Sequence, residues 1–269
     1  MRYFFHIGYN GYNYHGWQKH AGFTTIQETL EDNLSKLLKS TTTIIGCGRT
    51  DAQVHANQYF FHLNSDLELN EEIVFRLNKM LPEDIAVFEI IKVADDVHAQ
   101  YNAVKRTYDY FVHTYKDPFL NRFSSYYQGK ELDIQTIKQA LALLPNYNDY
   151  YAFCKSPEKQ EHTICNLMSA ELFSTAKGDQ FRIQISSNRF LRGMIRAIVA
   201  KLFKTGAGEM SIDEFENYLI TKDSRPNLEF APPQGLYLSK VVYPFLDIPA
   251  RTEFSPFGRK SKEKEWLLA

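Results

Sequence analysis

The 269-residue chain holds only three cysteines, Cys47, Cys154 and Cys165, odd in number and far apart. A disulfide framework needs paired cysteines and a zinc site needs ligand spacings such as CxxC or HExxH, and the sequence has neither. Reduced, buried thiols and no metal are the expectation. Long apolar runs are missing as well. No stretch approaches the roughly 18 unbroken apolar residues that span a bilayer, and the opening Met1-Arg2-Tyr3-Phe4 lacks the apolar region and cleavage site of a secretory leader. A cytoplasmic protein without a membrane partner is expected. An excess of charge of one sign is absent too: 31 Lys and Arg stand against 32 Asp and Glu, a net charge of −1. That excludes coating nucleic acid through bulk positive charge, although local basic surfaces remain compatible with it.

What is present is an ordinary globular composition, 44% hydrophobic and 23% charged, which can bury a core. The 17 Tyr and 20 Phe suit either that core or stacking on bases.

Arg2 to Tyr9 reads as a strand and Gly8 to Gly16 as a loop. Thr25-Ile26-Gln27-Glu28 has capping-box spacing, and Ile26, Leu30, Leu34, Leu37 and Leu38 recur at helical intervals, which predicts a helix to about Lys39. Thr41 to Ile45, Gln58 to Leu63 and Ile85 to Val93 read as strands, and Glu71 to Leu81 as a helix stopped by Pro82. A comparable set follows: a strand over Thr107 to Thr114, a helix from the cap Asp133 to Leu144, a strand over Phe181 to Ser186 and a helix over Arg189 to Lys204. The fold class expected is α+β. Two similar halves, residues 1–103 and 104–248, would share a mainly antiparallel sheet with a cleft between them. From Pro249 onward the pattern weakens into Arg259-Lys260-Ser261-Lys262-Glu263-Lys264, and residues 249–269 are expected to be a flexible charged tail that solvation or RNA contact would both suit.

The segment Gly46-Cys47-Gly48-Arg49-Thr50-Asp51-Ala52-Gln53-Val54-His55-Ala56 is polar and lies between two strands, where reactive groups often sit. In extended backbone Arg49 and Asp51 share a face, and a nearby guanidinium favours the ionised carboxylate, the nucleophilic form. On the residues alone, a structural Arg–Asp pair in a turn is the favoured account of the pattern.

The stretch resembles GRTDxGVHA, the signature of the tRNA pseudouridine synthase A family, at eight of nine places, counting the free one. Tyr12-Asn13-Tyr14-His15-Gly16-Trp17-Gln18 is similar to that family's Y-x-GWQ element, Thr25-Ile26-Gln27 to TVQ, and Leu77 to Ile85 to LNxxLPxDI. Val97-His98-Ala99-Gln100-Tyr101 with Lys105 to Tyr110 looks like FHARF…RxYxY, and Ala231 to Leu238 like APAxGLYL. These cover roughly residues 3 to 244 in the family's order.

The resemblance implies a cofactor-free isomerase that breaks the uridine N1–C1′ bond, turns the base and rejoins it through C5, at positions 38 to 40 of the tRNA anticodon stem-loop. It implies Asp51 as the catalytic carboxylate, acting on the sugar or the base. Arg49 would support Asp51 and keep the target nucleotide extruded, and Tyr108 would stack on the base and handle the C5 proton. Arg196 would line the active site and pair with Asp51. Lys105, Arg106, Arg189 and Arg192 would meet phosphates, Leu236 would pack against the site, and His55 would be structural. A homodimer, with each tRNA spanning both subunits, is implied. The sequence departs from the family where Gln53 replaces a Gly, and where no Arg occurs near Thr163-Ile164-Cys165-Asn166. The first departure motivates an alternative, a non-catalytic tRNA-binding paralogue; a synthase retargeted to other RNA positions is a further one.

Overall fold

The computed structural model describes residues 1–221, 228–246, 248–249 and 266–269. In chain order its main elements are β1 (Arg2–Tyr9), α1 (Ile26–Leu38), β2 (Ile45–Gly46), β3 (His55–Asn64), α2 (Glu71–Met80), β4 (Ile85–Val93), β5 (Lys105–His113) and β6 (Ser125–Tyr126). There follow α3 (Ile134–Leu143), β7 (Leu167–Ser174), β8 (Gln180–Ser187), α4 (Met194–Gly206), α5 (Ile212–Thr221), β9 (Leu236–Val242) and β10 (Leu267–Leu268). The mixed α/β content and mainly antiparallel pairing agree with the α+β expectation. The chain divides into two compact units, Met1–Arg106 with Tyr237–Arg259, and Thr107–Leu236 with Lys260–Ala269.

In the first unit β1 is the central strand. It pairs antiparallel with β3, Phe5 opposite Phe61, and with β4, Phe5 opposite Ile90. A strand flanked on both sides and covered on both faces needs apolar residues without alternation, and β1 is buried from Tyr3 onward. The Phe5 and Phe61 rings stack at 4.7 Å, a packing geometry that adds to simple area burial. Thr25 caps α1 by accepting the Glu28 N–H, and Ile26, Leu30, Leu34 and Leu37 form its buried stripe. β9 joins this unit as a parallel partner of β3, with His55 opposite Tyr237, although it follows the second unit in sequence.

The strand expected over Thr41 to Ile45 shrinks to Ile45–Gly46, paired with His62 and Phe61. Side chains of α1 take the donors that a longer strand would use: Thr42 N–H goes to Ser35 Oγ at 2.9 Å and Ile44 N–H to Glu31 Oε1 at 3.1 Å.

In the second unit the strand order is β10-β7-β8-β5, with β6 beside β5. Helices α3, α4 and α5 pack together, and α3 lies against β7. The helix expected from Arg189 begins instead at Met194. Gly193 sits at φ +72, and Met194 N–H bonds Leu191 carbonyl in a turn, so Arg189 and Arg192 precede the helix and do not share a face of it with Arg196. No helix among the described residues is long and apolar enough to cross a membrane. The tail motif Arg259 to Lys264 lies outside the described residues.

Candidate active site

The loop between β2 and β3 is held at nearly every residue. Cys47 N–H donates to Phe60 carbonyl at 2.7 Å, and the Tyr59 hydroxyl donates to Gly48 carbonyl at 2.6 Å. Thr50 carbonyl accepts from Trp17 N–H at 3.1 Å, while its hydroxyl meets that of Tyr9 at 2.9 Å inside the core. Gln53 N–H donates to Tyr14 carbonyl at 3.0 Å, and Val54 N–H to Asp51 carbonyl at 3.2 Å. His55 is buried, and its Nδ1 accepts Gly11 N–H at 3.1 Å. That is the structural role expected of it.

The Tyr12 to Gln18 element therefore forms one wall of the loop. Gly16 makes the close approach possible. Its φ is +91, and a Cβ there would lie 2.5 Å from Thr50 carbonyl oxygen. The departure at Gln53 falls on a left-handed residue: its φ is +64, in the region that glycine occupies without steric cost.

Asp51 is half-buried at the crest of this clamped loop and Arg49 is exposed. Arg49 enters no ion pair among the described residues. Burial pushes the Cys47 thiol up to about 11, which keeps it protonated near neutral pH and removes it as a nucleophile.

Arg106, expected to meet RNA phosphate, makes hydrogen bonds within its own chain. Its Nε and Nη2 donate to Cys47 carbonyl at 3.3 and 2.9 Å, Nη1 to Ala103 carbonyl at 3.3 Å, and Nη2 to Gln100 carbonyl at 2.7 Å. These four bonds reach three backbone carbonyls of its own chain. Sequence reading cannot find these partners, since carbonyls carry no side-chain signature and Cys47 is 59 positions away. Lys105, next to it, is half-buried.

The remaining expected residues belong to the second unit. Tyr108 is buried in β5, its ring edge-on to Phe190 at 5.1 Å. Arg196, on the first turn of α4, donates through Nε to Ala231 carbonyl at 2.7 Å, and Ala231 N–H bonds back to Arg196 carbonyl at 3.0 Å. Phe230 lies over the same guanidinium at 5.6 Å and fills the space beside Gly193, where a Cβ would lie 2.6 Å from its ring. Residues 230–231 and the start of α4 thus fix one another. Leu236 is buried at the head of β9. Arg189 reaches His162 at 3.0 Å, and Arg192 is exposed.

A family model described as tRNA pseudouridine synthase matches residues 7–102 and 147–244. The chain belongs to that family. The matched spans include the Asp51 loop, Arg189, Arg192, Arg196 and Leu236. Individual relatives agree. The chain is 36% identical over 248 residues to tRNA pseudouridine synthase A of Porphyromonas gingivalis, covering 90% of this chain and 97% of that one. It is also 36% identical to the protein of that name from Bacteroides fragilis, covering 91% and 97%, and 34% identical to that of Bacillus subtilis, covering 88% and 97%. Membership in this isomerase family accounts for the order of the motifs.

Proposed function

We propose that this family member isomerises uridine to pseudouridine at positions 38 to 40 of the tRNA anticodon stem-loop, with Asp51 as the catalytic carboxylate. The observation that carries the reading is the clamped loop. Asp51 stands half-buried on backbone fixed from both sides, the arrangement a reaction needs when one carboxylate must meet one sugar–base bond. The reaction breaks N1–C1′ and forms C5–C1′; the proton leaves C5 and N1 gains one, so no external oxidant or co-reactant is consumed. Tyr108 supports the site as the ring against which the extruded base stacks and as the group that handles the C5 proton, and Arg196 as the partner of Asp51. The exposed Arg49 helps hold the target nucleotide out of its stack. Lys105, Arg189 and Arg192 meet RNA phosphates, and Leu236 packs behind the site. The chain acts as a cytoplasmic homodimer on tRNA shape and backbone.

Gln53 supports catalysis over a binding-only paralogue, because its φ of +64 preserves the turn that a glycine would make. The test is incubation of purified protein with unmodified tRNA transcripts and site-resolved mapping of pseudouridine. Product in the anticodon stem-loop, lost in Asp51→Asn with tRNA binding retained, is the expected outcome. Product elsewhere overturns the target, and binding without product overturns the enzyme reading.

A further inference from the structure

We infer that Arg106 is a positioning residue that sets the height of the Asp51 loop, and that it does not contact RNA phosphate. The inference rests on Asp51 being the catalytic carboxylate. Three carbonyls converge on the Arg106 guanidinium, and they come from two separate segments. Cys47 is the first residue of the loop beyond β2, four positions before Asp51. Gln100 and Ala103 lie on the connection between β4 and β5.

That connection is itself anchored on the first unit's sheet. Ala99 N–H donates to His62 Nδ1 at 3.1 Å, and the Tyr243 hydroxyl donates to Ala99 carbonyl at 2.6 Å. Val104 N–H bonds Val242 carbonyl at 2.9 Å. Arg106 therefore ties the leading end of the catalytic loop to a segment fixed on β3 and β9. Beyond Asp51, the Gln53–Tyr14 backbone bond fixes the other end. Only a planar fork of fixed N–H directions serves three carbonyls at once; an ammonium on a flexible stem does not reproduce that geometry. Loss of the fork frees Cys47 carbonyl and lets Asp51 shift. Displacement of a reacting group by about 1 Å costs about a hundredfold in rate.

The test compares Arg106→Lys and Arg106→Ala with the unsubstituted protein by thermal unfolding, tRNA affinity across salt concentrations, and single-turnover pseudouridine formation. Expected are folded variants, tRNA affinity within about twofold with an unchanged salt slope, and turnover down about tenfold in Arg106→Lys and about a hundredfold in Arg106→Ala. Low-millimolar guanidinium ion should restore part of the Arg106→Ala turnover, which a role confined to folding would not give. Unchanged turnover overturns the inference. So does weakened binding with a salt slope reduced by about one, the signature of a lost phosphate contact, and so does loss of folding in both variants. Asp51→Asn is assayed alongside: if it keeps full turnover, the reading of Asp51 fails whatever Arg106 does.

Discussion

Gln53 holds a left-handed backbone, φ +64, while donating its N–H to the carbonyl of Tyr14 at 3.0 Å. A side chain has been accepted at a position whose geometry suits glycine, because the hydrogen bond to the neighbouring loop fixes the turn. Gln53→Gly is expected to fold with stability within about 1 kcal/mol of the parent, relief of strain offsetting the greater freedom of the unfolded chain, and to keep full turnover. Gln53→Val, β-branched, should cost about 2 kcal/mol or more and lower turnover. Urea unfolding with the tRNA assay checks both; a Val variant as stable as the parent would refute the argument.

Lys39 closes α1 at φ 54, its N–H bonded to Ser35 carbonyl. Replacement by Gly at this left-handed helix end should stabilise the protein by about 1 kcal/mol, raising the midpoint of thermal unfolding by about 2–4 °C. A lowered midpoint would contradict this.

The Tyr9–Thr50 hydroxyl pair connects β1 to the residue before Asp51. Tyr9→Phe leaves the Thr50 hydroxyl without that partner inside the core, a loss of about 1–3 kcal/mol, and should also reduce turnover because the loop loses one of its supports. Turnover unaltered at saturating tRNA would separate this contact from catalysis.

His62 is buried, and burial, then the charge of Arg2 and then His98, lower its pKa from 6.5 to about 4. Its neutral Nδ1 accepts Ala99 N–H. Because the folded-state value lies below the unfolded one, the contribution is complete above about pH 6.5 and is lost as pH falls from there through 4. The loss amounts to up to about 3 kcal/mol. Urea unfolding at pH 7 and pH 4.5 should show a smaller difference for His62→Gln than for the parent; equal differences would dismiss His62 as the source.

Much of this molecule is legible in its sequence wherever local rules decide. Thr25 and Asp133 cap the helices they were expected to cap, and Ile85–Val93 forms the strand its β-branched run predicts. Local rules fail where distant partners decide. Ser35 and Glu31 take the backbone donors that would have extended β2, and Gly193, packed against Phe230, turns the chain before Arg189 and Arg192 can become helical. At the candidate site the Asp51 loop stands out by its motif. The carbonyls gathered around Arg106 leave no trace in side-chain identity.

The discontinuity of the first unit has a consequence for biosynthesis. Gln58 and Val241, joined by a side-chain hydrogen bond, are 183 residues apart, and β9 is translated only after the whole of residues 107–235. Domains generally form in the order in which they leave the ribosome, but this one waits for its last strand. Until Tyr237 and Leu238 emerge, His55 and Ala56, immediately after the Asp51 loop, lack their parallel neighbours. The nascent chain therefore carries the Asp51 loop long before it carries the strand that flanks the residues just after it.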